Sequence, residues 1–283
     1  MLFGAHVSSD KGLFNAPLNA AKIGAEVFQF FTRSPHGGSA GAITPDVAQL
    51  FKQNCKLLGI PSWYVHAPYT INLASANNRI RYGSIHIARE ELERASLLGA
   101  KHLMIHLGSY KDFGRGLGFE KVIESLNKIL DGYEGTTKFL IEISAGAGDN
   151  IGSDFDDIAK IIDHPTLKKY DIGVCFDTQH AFASGYDLRT PEAVKKTFEN
   201  FNQTIGLDRL KIFHCNDSKV VFGEKKDRHE HLGEGKIGLE GIRAILNFMR
   251  SRDVDYIIET PPDKIAADLK TMKKLRNKLN DNT

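Results

Sequence analysis

The sequence predicts an α/β fold, a single (β/α)8 TIM barrel, and three observations carry that expectation. Short β-rich apolar runs alternate with helix-length amphipathic segments along the whole chain, as repeated βα units around a parallel sheet require. Eight such runs can be counted, at residues 2–7, 27–31, 62–65, 102–105, 139–141, 172–176, 210–213 and 256–258, each followed by a helical pattern. The 283 residues suit a barrel of about 250 residues with its loops. No low-complexity tract, linker or composition break divides residues 1–283, so one barrel domain is expected.

Two helices show how the intervening segments are read. Residues 80–98 place Ile80, Ile87, Leu92 and Leu98 at helical spacings. Thr190 followed by Pro191 is an N-cap with proline at the first helical position.

In a barrel of this kind the carboxyl ends of the strands converge on one mouth, where catalytic groups gather. The first run ends at His6, a residue equally suited to orienting a ligand and to a satisfied place in the core. The third ends at His66, the fourth at His106, the fifth at Glu142, the sixth at Asp177 with His180 just beyond, the seventh at His214 and the eighth at Glu259. His102 opens the fourth run and belongs at the opposite, stabilising end. The long connection after the seventh run adds Asp227 and His229 in KKDRHEHLGEG. His86, His164 and His231 carry no assigned chemistry.

Any one of these residues is more often a hydrogen-bonded structural group than a ligand. Six successive strand ends that all offer His, Asp or Glu change that balance, because burying so many ionisable groups unpaired is costly. Five histidines and four carboxylates with no thiolate suit zinc, manganese or iron, and they exceed what one tetrahedral ion uses. Two or three ions are therefore expected at the C-terminal mouth of the strands, with at least one carboxylate bridging.

Composition narrows the rest. Apolar residues make up 41% and charged residues 25%, ordinary for a globular domain and unlike disorder. No apolar run approaches the ~20 residues of a membrane span, and the start lacks a basic segment leading into an apolar one, so a cytoplasmic protein is expected. Cys55, Cys175 and Cys215 are odd in number and unpaired in spacing, which argues for small buried hydrophobes rather than disulfides or zinc thiolates. A net charge of +2 permits a polyanionic partner without demanding one.

The chain resembles the endonuclease IV class of apurinic/apyrimidinic DNA repair nucleases over essentially its whole length. The motifs are GAHVS at the start, HAPYTINL from His66, IHLGS around His106, IEISAGAG around Glu142, CFDTQHAFASGYDLRT from Cys175, HCNDSK from His214, DRHEHLGEGKIG from Asp227 and IIETP around Glu259. Position by position, the resemblance implies three zinc ions, with manganese or iron acceptable at one or more positions. His66 and His106 would hold the first, with Glu142, the central catalytic ligand, bridging to the second. Asp177, His214 and Glu259 would complete the second, and His180, Asp227 and His229 would hold the third.

The resemblance further implies hydrolysis of the phosphodiester 5′ to an abasic site in double-stranded DNA, leaving a 3′-hydroxyl and a 5′-deoxyribose phosphate, together with trimming of blocked 3′ ends, by a monomer. Paired ions ~3.5–4 Å apart activate water and stabilise both the attacking and leaving oxygens, so no side-chain nucleophile is required. Tyr69 matches a family aromatic that enters the DNA stack, against the plainer reading of a packed loop tyrosine.

Three positions depart from the family pattern. Thr70 stands where an apolar wedge is expected, His36 where an arginine is expected, and Gln179 where a cysteine is usual. The first two leave hydrolysis intact but bear on insertion into the duplex. Basic residues near mouth loops are Lys11, Arg33, Arg115, Lys219, Lys225, Lys226 and Arg228, of which Arg228 and Lys219 are preferred as phosphate contacts because they flank candidate ligands. The alternatives are a metal-dependent sugar isomerase or epimerase on a related barrel, for which Glu142, Asp177, His214 and Glu259 alone would suffice, and a non-catalytic DNA- or metal-binding barrel.

Overall fold

A computed structural model describes residues 1–281 of the chain. Eight parallel strands close into a barrel: β1 (Phe3–His6), β2 (Val27–Phe30), β3 (Trp63–His66), β4 (His102–Ile105), β5 (Lys138–Glu142), β6 (Gly173–Asp177), β7 (Leu210–His214) and β10 (Asp255–Ile258). Each falls within a residue or two of its predicted run. The ring closes by β1 pairing with β2 on one side and β10 on the other. β8 (Asp217–Ser218) and β9 (His229–Glu230) form a separate antiparallel ribbon after the barrel's seventh strand, which sequence periodicity did not predict because each arm is two residues long.

The helices follow from local chemistry. Helix α1 is Ala16–Lys22, and α2 (Pro45–Leu57) starts where Thr44 Oγ1 accepts from Val47 N at 3.3 Å. Helix α3 (Asn78–Leu98) covers the predicted 80–98 segment, capped by Asn77 and closed by Gly99 at φ 74°. Its Leu92 and Leu98 are buried, whereas Ile80 is exposed. Helices α4 (Gly114–Leu130), α5 (Phe155–Ile162) and α6 (Thr178–Ser184) follow. Helix α7 (Pro191–Thr204) has the predicted cap, Thr190 Oγ1 accepting from Ala193 N at 3.2 Å. Helices α8 (Gly238–Met249) and α9 (Ile265–Asp281) complete the ring, and Arg276 of α9 forks onto Glu26 at 2.8 Å beside β2.

Two apolar layers hold this together. The larger lies between strands and helices and includes Phe28, Phe51, Phe155, Phe176, Phe198 and Phe213. The smaller fills the barrel itself with Val27, Tyr64, Met104, Leu140, Cys175, Ile212 and Ile257. Near the amino-terminal end His102 stacks on Tyr64 with ring centroids 5.7 Å apart, at the end expected from its place in the fourth run. All three cysteines are buried and free, as expected. Among the described residues no helix is long and apolar enough to cross a membrane.

Candidate metal centre and DNA-facing cleft

Side chains alternate faces along a strand, so the residue two places beyond an interior one points inward again. Two places beyond the seven interior residues stand Gln29, His66, His106, Glu142, Asp177, His214 and Glu259. The barrel's own period therefore delivers the six strand-end candidates to one mouth, together with a glutamine.

There the imidazole and carboxylate donors fall into three groups. His66, His106 and Glu142 lie within 4.8 Å of one another, with His66 Nε2 2.8 Å and His106 Nε2 3.6 Å from Glu142 Oε2. Glu142, Asp177, His214 and Glu259 form the second, in which His214 Nδ1 is 3.0 Å from Glu142 Oε1 and 3.1 Å from Glu259 Oε2. Asp177, His180 and His229 form the third. Asp227 closes over that group, 3.3 Å from His180 Nε2 and 3.5 Å from His229 Nε2. Glu142 is thus shared by the first two groups. Asp177 is shared as well, because its Oδ2 reaches 3.5 Å from His229 Nε2, which the partition implied by resemblance does not include.

Backbone carbonyls set the tautomers of three histidines. The carbonyls of Ala67, Ile143 and Glu259 lie 2.6, 2.9 and 3.2 Å from Nδ1 of His66, His180 and His229. A carbonyl only accepts, so each Nδ1 carries the proton and each Nε2 turns its lone pair to the site. Nε2 of His180 and of His229 are buried without a hydrogen-bond partner. Unpartnered imidazole lone pairs among carboxylates are what a divalent cation requires, so the residues fit one.

The field agrees. Burial works to raise the Glu142 carboxyl, but His106, His214 and His180 outweigh it and hold it well below the usual range. Partial burial works to raise the half-exposed Asp227 carboxyl, yet His180 beside it brings it down to about 2. Burial pushes the His106 imidazole down to about 4, leaving it neutral and able to offer a lone pair at neutral pH. Cys175 lies near Glu142 and His214, and burial raises its thiol to about 12.

Sequence reasoning missed the residues that hold these groups. Asp177 Oδ1 caps α6 by accepting from His180 N at 2.8 Å, while its Oδ2 accepts from Asn216 Nδ2 at 2.7 Å. Asn216 Oδ1 in turn accepts from Glu259 N at 2.7 Å. The connection bearing Asp227 and His229 is fastened by Asp217, whose buried carboxylate accepts from the backbone N–H of Ser218, Gly233, Gly235, Ile237 and Gly238. Gly235 is required there, since a Cβ would sit 2.4 Å from Asp217 Oδ1. The departure at Gln179 also has a part in this: its Oε1 accepts from Arg228 N at 3.2 Å and its Nε2 donates to Lys226 O at 2.9 Å.

A cleft of about 380 Å³ opens over the cluster, walled by Tyr69, Arg228, Thr260, Pro261 and Pro262. It adjoins a second of about 410 Å³ that shares Tyr69, His106, His180 and Asp227 and adds Thr70, Asn72, Ser109 and Asn150. Tyr69 is 58% exposed and stands edge-on to Phe31. Its N–H donates to Pro35 O at 3.0 Å, joining the loop of Tyr69 to that of His36. Thr70 is exposed, as Lys219 is, and Gly37 approaches Thr70 so closely that a Cβ would lie 2.9 Å from its hydroxyl. Arg228 lines the cleft, whereas Lys219 does not.

Arg33 corrects the reading of basic mouth residues. It is buried, bound to Glu91 at 2.5 Å and to Glu90 at 2.7 Å, because α3 sets both carboxylates behind the first mouth loop. Arg115 is likewise tied to Asp157 at 2.6 Å.

Comparison with known proteins accords with this geometry. A family described as xylose isomerase-like TIM barrel matches residues 17–276. The chain is 41% identical to the probable endonuclease 4 of Campylobacter curvus, covering 97% of this chain and 96% of that one. It is 39% identical to that of Cenarchaeum symbiosum over 98% and 99%. The crystal structure of endonuclease IV from Thermus thermophilus superposes with a TM-score of 0.86 at 31% identity, covering 98% of this chain and 100% of the other. A D-tagatose 3-epimerase-like protein shares the fold at 20% identity, with a TM-score of 0.74 over 100% and 99%. Geometry and likeness together place the chain in the endonuclease IV family of xylose isomerase-like TIM barrels.

Proposed function

We propose that the chain is a DNA repair endonuclease that hydrolyses the phosphodiester 5′ to an abasic site in double-stranded DNA, leaving a 3′-hydroxyl and a 5′-deoxyribose phosphate, and that it also clears blocked 3′ ends. The observation that carries this is the sharing of Glu142 between two donor groups with a third group alongside, at the floor of an open cleft. In this reading His66, His106 and Glu142 hold one ion, Glu142, Asp177, His214 and Glu259 a second, and His180, Asp227 and His229 a third, with zinc in all three or manganese or iron in one or more. Such ions supply Lewis acidity toward a phosphodiester and lower the pKa of water.

The protein's own residues do the rest. Tyr69 offers an exposed aromatic face at the cleft edge, where a duplex weakened by a lost base opens at little cost. Thr70 and His36 stand beside it, and Arg228 brings a cation to the cleft wall. Lys219, off the cleft, meets phosphates farther along the duplex. The protein acts as a monomer in the cytoplasm.

Zinc-loaded protein should incise a duplex carrying one tetrahydrofuran abasic analogue on its 5′ side. Removing metal with a chelator should abolish the cut and added zinc restore it. Failure of the metal-replete protein to incise would overturn the proposal. Weight would then move to a sugar isomerase or epimerase, which the group Glu142, Asp177, His214 and Glu259 alone could serve; the five further donors argue against it.

Arg228→Ala should weaken binding to duplexes of any sequence alike and make the slope of log Kobs against log salt shallower by about 1, the signature of one phosphate contact. Binding isotherms at several salt concentrations check it, and an unchanged slope would remove Arg228 from the interface.

A further inference from the structure

Gln29 stands among the site groups although it cannot ionise. It lies on β2, two residues beyond the interior Val27, and is fully buried. Both ends of its amide are engaged. Nε2 lies 2.7 Å from Glu259 Oε1 and 2.9 Å from His6 Nδ1, and Oε1 lies 2.7 Å from His214 Nε2.

These contacts determine one another. A carboxylate oxygen accepts, so the Gln29 atom beside Glu259 is the amino group. Turning the amide over would set its carbonyl against that carboxylate, two acceptors 2.7 Å apart. The carbonyl therefore faces His214 and accepts its Nε2–H, which leaves Nδ1 as the coordinating nitrogen. Nδ1 is the atom that points at Glu142 Oε1 and Glu259 Oε2, at 3.0 and 3.1 Å. The second amide hydrogen goes to His6 Nδ1, at the position paired with Gln29 in the β1–β2 register.

His66, His180 and His229 each have the proton of their far nitrogen placed by a backbone carbonyl. For His214 that part falls to the Gln29 side chain. We propose that Gln29 is a positioning residue for the second metal group: its amide selects the His214 tautomer that presents Nδ1 and at the same time fixes the rotation of the Glu259 carboxylate. This rests on the multi-metal reading proposed for the site, and it adds to that reading a residue which is itself no ligand.

Two measurements test it. In the zinc-loaded protein labelled with 15N-histidine, long-range 1H–15N spectra should show His214 protonated at Nε2, the signal being assigned by its absence in His214→Asn. In Gln29→Met, which keeps length and loses all three hydrogen bonds, one of three zinc equivalents should be released at a chelator concentration about 10–100-fold lower than in the wild type, the other two being unchanged. If His214 carries its proton on Nδ1, or Gln29→Met keeps all three equivalents as tightly, the assignment to Gln29 falls and the cluster stands. If the wild type itself takes up no stoichiometric metal, the cluster falls and Gln29's role with it. Should Gln29→Met not fold, the wild-type spectrum decides alone.

Discussion

Glu142→Gln should lower incision of an abasic duplex by more than about 100-fold and reduce zinc from three equivalents per chain toward one. Glu142 belongs to two of the three donor groups, one oxygen facing His66 and His106 and the other His214 and His180. The amide that replaces it has nearly the same volume, so the packing inside the barrel is undisturbed. One of its two ends becomes a donor, turned toward imidazole nitrogens that must keep their lone pairs for a cation. Residues that merely orient ligands contribute about 10–100-fold, and the ligand shared between two groups should exceed that. Elemental analysis and single-turnover incision on the same preparation check both halves. Lost incision with three zinc retained would recast Glu142 as a proton-transfer group, and retained incision would remove the cluster from the reaction.

The sequence made these groups legible because the barrel imposes a period. Once eight runs are placed in register, each strand's last inward position can be read off, and in the six consecutive barrel strands from β3 on those positions hold His, Asp or Glu. The same rule leads to Gln29, but a glutamine inside the run VFQFF does not announce chemistry, since its part depends on partners more than 180 residues away on β7 and after β10. Asp217 was hidden for the opposite reason. It lies within HCNDSK beside a ligand, and only the returning backbone of residues 233–238 shows that it is an anchor rather than a donor to the site. The burial of Arg33 was not legible because loop sequences do not show which charges a neighbouring helix will neutralise; Glu90 and Glu91 lie far along the chain on α3. Gln179 shows a departure acquiring a task, since its amide reaches both Lys226 and Arg228, on either side of Asp227, where a cysteine side chain would be too short to make both contacts.

Asp217→Asn should cost about 3 kcal/mol of stability, as leaving a buried donor unsatisfied does, and uncouple the third donor group from the other two. The Asp217 carboxylate is fully buried, and its charge is balanced by backbone dipoles: Oδ1 accepts from Ser218 N at 2.8 Å and Ile237 N at 2.9 Å, Oδ2 from Gly233 N at 2.9 Å, and further N–H groups of Gly235 and Gly238 approach to 3.2 Å. Hydrogen bonds to a charged acceptor contribute about 1.5–3 kcal/mol each. An amide keeps one oxygen and turns its NH2 onto N–H donors, so at least one end of the anchor fails and leaves buried donors unsatisfied. At roughly 2–4 °C per kcal/mol, the melting temperature should fall by about 6–12 °C. The damage is directional, because the segment tied down at residues 233–238 is the one that carries Asp227 and His229, whereas His66, His106, Glu142, His214 and Glu259 stand at strand ends. The variant should therefore retain two zinc equivalents and lose the third. Its incision rate would then separate what the pair around Glu142 accomplishes from what the outer group adds. Three equivalents held at wild-type affinity would show that Asp227 and His229 keep their places without the Asp217 anchor.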